Sequence, residues 1–272
     1  MYSNLAPPIR ALTIPELQAR KAAAEPIAAI TAYDASFARV VDEAEVDLVL
    51  VGDSLGNVIQ GLRHTVSVRI EDVVYHTRAV SRGLQRALLM ADMPFLAAAN
   101  TELAIRNAAR LMGEGEAAIV KIEGAGPMLE IMHFLVERDV PVCAHLGLTP
   151  QSVHRLGGYK VQGRDETARQ QLLADARAAQ SAGASFLVLE CVPSELAAQV
   201  TAALQIPTIG IGAGPDCDGQ ILVLHDVLGV ASGRRPRFAK DYCGSDRGPR
   251  QAIAAYVQEV RQRQFPLPEH AY

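Results

Sequence analysis

Five apolar runs of this sequence stop on groups that titrate or ligate. LVLVGDS, LLMAD, AIVKIE, VCAH and FLVLE set Asp53, Asp92, Lys121, Glu123, His145 and Glu190 at or just past their C-terminal ends. A strand that needs only a turn ends more often on Gly, Asn or Ser. If these ends share one rim, four carboxylates meet one Lys and one His, and their repulsion raises their own pKa values. A cation relieves that repulsion. Ligation by carboxylate oxygens suits Mg2+, which keeps waters and takes one or two direct carboxylates. On this reading Asp53 and Asp92 ligate directly and Glu123 acts through water. Lys121 and Glu123 have the same parity in their strand, so both point to one side with Cα atoms roughly 7 Å apart. If that side is an interior, Lys121 can pair with a substrate carboxylate.

Each residue also has a plainer reading. A strand-end Asp often caps the next helix. His145 can be hydrogen-bonded packing, Lys121 a structural ion-pair partner, and Glu190 a lead-in to a helix at Ser194. Cys143 and Cys191 read as small buried apolar groups. The segment IGIGAGPDCDG, 209–219, lacks Gly-x-Gly-x-x-Gly spacing and falls late in the chain, so it is a weak dinucleotide fingerprint. A rim turn approaching a ligand is the better expectation. LGGYKVQGR, 156–164, reads as a lid, a contact for an anionic tail, or plain surface loop.

The elements that must position these groups alternate along the chain. Strands are expected at 27–32, 48–52, 87–91, 117–122, 142–145, 185–189, 208–211 and 221–225, most without polar alternation, as in a parallel sheet covered on both faces. Between them, Ile70, Val73, Val74, Thr77 and Val80 form a helical face stopped by Gly83. Leu103, Ala104, Ala108, Leu111 and Met112 form another stopped by Gly113. Thr13-x-x-Glu16 with Pro15 reads as a capping box opening an extra N-terminal helix over the bottom of the fold. The last helix is expected over 250–263. Eight strand-helix units without a linker predict one α/β domain over 1–272, a (β/α)8 TIM barrel with an N-terminal capping helix. The weak point is the link between the seventh and eighth strands.

The chain has 272 residues, 49% of them hydrophobic, enough for a full core. A net charge of -4 with mixed signs gives no basic face for nucleic acid. The N-terminus MYSNLAPPIR lacks an apolar signal core and no run approaches a membrane span, so a cytoplasmic protein is expected. The four cysteines form no Cys-x-x-Cys pair, which disfavours a zinc knuckle or disulfide framework.

Taken together, ITAYD, LVGDSLG, YHTRAVSRG, DMPF, VKIEG, HLGLTPQSV, GGYKVQGR, VLECVP and IGIGAGPDCDGQILVLHD, in this order from about Ile30 to Tyr242, closely resemble the ketopantoate hydroxymethyltransferase family. The resemblance implies a Mg2+-dependent (β/α)8 barrel that assembles into a homo-oligomer, commonly a decamer. It also implies transfer of a hydroxymethyl group from 5,10-methylenetetrahydrofolate to 3-methyl-2-oxobutanoate, giving 2-dehydropantoate. By the same resemblance Asp53 and Asp92 bind Mg2+ and the keto acid, and Glu123 is the further metal-site carboxylate. Ser54 and Lys121 bind substrate, His145 lies in the same pocket, and Glu190 is the proton acceptor. Asn57 and Asn100 depart from the family pattern and bear on the pocket rim. The competing readings are a Mg2+-dependent carbon-carbon lyase on a 2-oxo acid and a non-catalytic module in which IGIGAG cradles a phosphate.

Overall fold

The computed structural model describes residues 10–231 and 235–272, so the reading of the first nine residues lies outside it. Eight parallel strands close in chain order: β1 (Ile27–Thr31), β2 (Leu48–Val51), β3 (Leu88–Asp92), β4 (Ile119–Glu123), β5 (Val142–Gly147), β6 (Phe186–Glu190), β7 (Thr208–Ile211) and β8 (Gly219–Leu222). Strands of Val, Ile, Leu and Ala are buried on both faces because helices cover the outside and side chains fill the inside. Each Val, Ile or Leu side chain removed from water contributes about 1.5–3 kcal/mol. The expected helical faces lie on helices Ile70–Ser81 and Thr101–Gly113, and the last helix spans Pro249–Arg261.

Helix Ile14–Ala23 opens as its sequence requires, with the Thr13 hydroxyl accepting from Glu16 N and a Glu16 carboxylate oxygen accepting from Thr13 N at 2.9 Å. Gln18 Nε2 donates to Ser185 O at 3.1 Å, and Lys21 Nζ lies 2.7 Å from Asp218 Oδ2. Ser185 and Asp218 immediately precede β6 and β8, which places this helix at the N-terminal end of the barrel. There Asp47, fully buried before β2, holds Arg20 at 2.8 Å, Arg86 at 2.9 Å and the backbone N of Ala28 at 3.1 Å.

Two sequence expectations need correction. Only residues 212–218 separate β7 from β8, and they contain no helix, so the eight repeats include one bare link. The link is too short for a helical crossover, which with its turns needs a dozen or more residues. The eighth strand also ends earlier than expected: Leu224 N donates to Thr31 Oγ1 at 2.9 Å instead of to a strand carbonyl, and residues Leu224–Val227 coil into a helical turn. β3 to β6 run a residue or two further than expected, while β1 and β2 end one residue short and β7 ends where expected. Asp92, Glu123 and Glu190 are the last residues of β3, β4 and β6. Among the described residues no helix is long and apolar enough to cross a membrane.

Candidate active site

Parallel register decides which strand ends become neighbours. Asp92 pairs with Lys121, Glu123 with His145, and Gly147 with Glu190. The inward side chains therefore form a row around one arc of the C-terminal rim. Lys121 Nζ lies 2.6 Å from Asp92 Oδ1 and 3.8 Å from Glu123 Oε1. His145 Nδ1 follows at 3.4 Å from the same Glu123 oxygen, and His145 Nε2 lies 3.3 Å from Glu190 Oε2. Acid and base alternate from Asp92 to Glu190. Gly147 permits the last step: its φ is +89°, and a Cβ there would meet Glu190 O at 2.3 Å.

Asp53 joins from the turn after β2. Its backbone N donates to Asp92 Oδ2 at 2.9 Å, which ties the two carboxylates together. Gly52 leaves room for this, since a Cβ would come within 2.9 Å of Ser54 Oγ and 3.4 Å of Asp92 Oδ2. Ser54 Oγ shares a 2.9 Å hydrogen bond with Tyr33 OH. All seven residues expected from the sequence, Asp53, Ser54, Asp92, Lys121, Glu123, His145 and Glu190, border one cavity of about 1100 Å³.

Burial sets the protonation of this site. It pushes the Asp53 carboxyl up to about 8, with Glu123 and Asp92 adding repulsion. It pushes Glu123 up to about 7 despite the opposing Lys121 charge, and raises Glu190 against its contact with His145. Burial disfavours the Lys121 ammonium too, but Asp92, Glu123 and Asp53 outweigh it and hold the group charged. His145 is held neutral by burial and by the Lys121 charge. Glu123 Oε1 and both His145 ring nitrogens are buried without a well-formed hydrogen bond. Buried polar atoms left in this state mark a place where a ligand group is accepted.

These hard oxygen donors fit a Mg2+ ion. Among the described residues no three His, Cys, Asp or Glu are gathered so as to enclose an ion by themselves. Two direct carboxylates completed by water and substrate oxygens are consistent with that, and are the usual habit of Mg2+.

Sequence reasoning missed Gln151. Its Nε2 donates to Asp53 Oδ2 at 3.1 Å and to Met93 O at 3.0 Å, while its backbone N donates to Glu123 Oε2 at 3.0 Å. One residue of the loop after β5 thus fastens groups at the ends of β2, β3 and β4. The only signal was its presence in HLGLTPQSV, six positions after His145, and nothing local to that spacing reveals the reach. Tyr159 of the basic 156–164 loop borders the cavity, whereas Lys160 and Arg164 do not. The glycines of IGIGAGPDCDG stay off the cavity. Gly214 packs against Ser194 and Gly212 against Phe238 and Tyr272, so the expected ligand approach there is a packing turn. Asn57 borders the cavity and donates to Leu62 O at 2.9 Å, but Asn100 caps helix Thr101–Gly113 away from it. Cys191 borders the cavity, but burial and the Glu190 charge push its thiol well up, so it is no thiolate nucleophile.

Comparison with known proteins separates fold from family. Among solved structures, a phosphonopyruvate hydrolase in complex with oxalate and Mg++ aligns with TM-score 0.62 at 14% identity, over 93% of this chain and 98% of that one. A phosphoenolpyruvate phosphomutase from Streptomyces platensis subsp. rosaceus aligns with TM-score 0.60 at 14% identity, over 80% of this chain and 83% of that one. Identities this low establish the barrel alone. Sequence likeness goes further. The 3-methyl-2-oxobutanoate hydroxymethyltransferase of Stenotrophomonas maltophilia is 57% identical over 261 residues, 96% of each chain. That of Alkalilimnicola ehrlichii is 52% identical over 273 residues, covering 100% of this chain and 99% of the relative. The family model for ketopantoate hydroxymethyltransferase matches residues 11–268. With the match running almost from end to end and including every residue of the acidic rim, this chain belongs to the ketopantoate hydroxymethyltransferase family.

Proposed function

We propose that this chain transfers a hydroxymethyl group from 5,10-methylenetetrahydrofolate to 3-methyl-2-oxobutanoate, giving 2-dehydropantoate, with Mg2+ as its metal. The observation that carries this reading is the opening of Glu190 and of the Asp53, Asp92 and Lys121 cluster onto one cavity. Proton abstraction and recognition of a 2-oxo acid therefore share a chamber.

Asp53 and Asp92 would hold the metal, with Glu123 reaching it through water. Bound there, Mg2+ supplies Lewis-acid stabilisation of the negative charge that develops on the keto oxygen. Lys121, charged and fixed against Asp92, directs its remaining donors toward the substrate carboxylate, and the Ser54 hydroxyl, oriented by Tyr33, gives a second contact. Glu190 removes the proton from the carbon beside the ketone. Its burial makes it a stronger base than an exposed carboxylate, and such a positioned base contributes about 10² to 10⁴ in rate. The folate's methylene carbon loses its bond to N10, which takes a proton, and becomes an N5 iminium; water adds to it and the N5–carbon bond breaks, releasing tetrahydrofolate and leaving formaldehyde in the chamber. The enolate carbon bonds to that carbonyl carbon, and the carbonyl oxygen takes a proton to become the new hydroxyl. Neutral His145 beside Glu190 is placed to exchange a proton with it.

The deciding experiment is formation of 2-dehydropantoate from the two substrates with Mg2+ and with chelator. Product that depends on both the folate and the metal supports the reading; cleavage of a 2-oxo acid without folate supports a lyase instead. The resemblance also leads us to expect a cytoplasmic homo-oligomer, a decamer, which light scattering of the purified protein measures.

A further inference from the structure

The cavity is larger than a five-carbon keto acid requires: about 1100 Å³, beyond the range of roughly 300–1,000 Å³ typical of sites for drug-sized ligands. The reacting groups lie on β2 to β6. Because the barrel closes in chain order, the ends of β8 and β1 face them across the mouth. That far wall begins with Ile221, Leu222 and Val223 and then presents Asp226, on the helical turn Leu224–Val227.

Asp226 is 7% exposed and borders the cavity, yet its carboxylate accepts no hydrogen bond from the described residues. The neighbouring cation, Arg235, is directed to Asp241 at 3.0 Å. Burial pushes the Asp226 carboxyl up to about 6, with Arg235 opposing, so the group is ionised at neutral pH. A largely buried carboxylate that has no donor among the described residues and borders a cavity is completed by donors of whatever fills that cavity. Next to an apolar wall, the fitting ligand group is flat, with two parallel N–H donors on one edge. The 2-amino-4-oxopteridine ring has that edge in its N3–H and 2-amino group.

We propose that Asp226 anchors the pterin end of the reduced folate, its two oxygens accepting from ring N3–H and the 2-amino group. This inference rests on the folate reading above and adds the direction of binding to it. The pterin lies against the β8 wall, the methylene carbon faces Glu190, and the glutamate tail leaves through the mouth.

The test is titration of the full-length protein, with Mg2+ and keto acid present, by tetrahydrofolate and by its 2-desamino analogue. Wild type is expected to prefer tetrahydrofolate by about 10- to 100-fold, the range for hydrogen bonds to a charged group. Asp226→Asn replaces an acceptor by a donor and should reduce that preference to within about threefold, while Asp226→Glu should retain part of it. Equal affinity of wild type for the two ligands overturns the proposal, as does an undiminished preference in Asp226→Asn. The wild-type comparison needs no variant and decides the matter even if both variants misfold. If wild type exchanges the keto-acid proton but binds neither folate, the folate reading itself fails and this anchor with it. Binding of tetrahydrofolate with no preference between the ligands removes the anchor alone.

Discussion

His145 Nε2 stands 3.3 Å from Glu190 Oε2, while the other nitrogen of the same ring stands 3.4 Å from Glu123 Oε1. A neutral imidazole has one N–H, so it can donate to only one of these carboxylates at a time, and the tautomer selects which. The proposed base and the proposed metal-side acid are therefore linked through one proton. Glu190→Gln should lower deuterium exchange at the carbon beside the ketone by about 10² to 10⁴ and leave Mg2+-dependent keto-acid binding detectable by calorimetry. Exchange at the wild-type rate would remove Glu190 from the role of base.

The pH profile of that exchange tests the environment of the base. Burial raises the Glu190 carboxyl and contact with His145 opposes the rise. The base must be ionised, so exchange should climb with pH through an inflection above the ordinary carboxylate range. His145→Ala removes the opposing contact and should move the inflection to higher pH. An inflection that stays in place means that the imidazole does not govern the base.

Metal removal should make stability depend on pH. The folded carboxyls of Asp53, at about 8, and Glu123, at about 7, lie above their unfolded values. Between about pH 4 and pH 8 the folded chain binds more protons than the unfolded one, so stability falls as pH rises through this window. In chelator, the Tm should drop from about pH 5 to about pH 8. Mg2+ binds the ionised carboxylates and should raise the Tm more at the higher pH. A flat profile in chelator contradicts the buried-acid picture.

Gln151→Leu removes the amide bonds to Asp53 and Met93 O but keeps the backbone bond to Glu123. Loss of a group that orients a metal ligand typically costs 10- to 100-fold in metal affinity. Manganese binding followed by electron paramagnetic resonance should weaken by about 10-fold, with little change in Tm. Unchanged affinity would reduce these bonds to packing.

At the other end of the barrel, Asp47→Ala leaves Arg20 and Arg86 facing each other without their shared anion. Removing one partner of a fully buried pair costs about 3–5 kcal/mol, and because both arginine side chains reach water here about 2 kcal/mol is expected. Urea denaturation should register that loss while kcat of the folded enzyme stays close to wild type. A large fall in kcat would mean that the two ends of the barrel are coupled.

The polar residues that end the apolar runs were legible in the sequence because an interior strand has few reasons to finish on Asp, Glu or Lys. Strand parity was legible too, and Lys121 and Glu123 do share the interior. Gln151 was not, because its partners lie on three other strand ends and only the closed barrel brings them within reach. Asp226 was hidden in the same way: ILVLHD reads as one strand running on to His225, and the hydroxyl of Thr31, almost two hundred positions away, turns the chain early. The link between β7 and β8 was visible as the weak point of the eightfold pattern, but not as a packing turn, because its glycines resemble ligand loops locally, while Ser194, Phe238 and Tyr272, which occupy the space beside them, are distant in sequence.

Tyr272 fills that space. Its carbonyl accepts from Ser194 N at 2.9 Å and from Ser194 Oγ at 3.1 Å, and its side chain borders the cavity. For anyone handling this enzyme, a bulky label carried on Tyr272 would therefore press directly on the cavity that holds the acidic rim. A tag joined ahead of helix Ile14–Ala23 would start from the opposite end of the barrel.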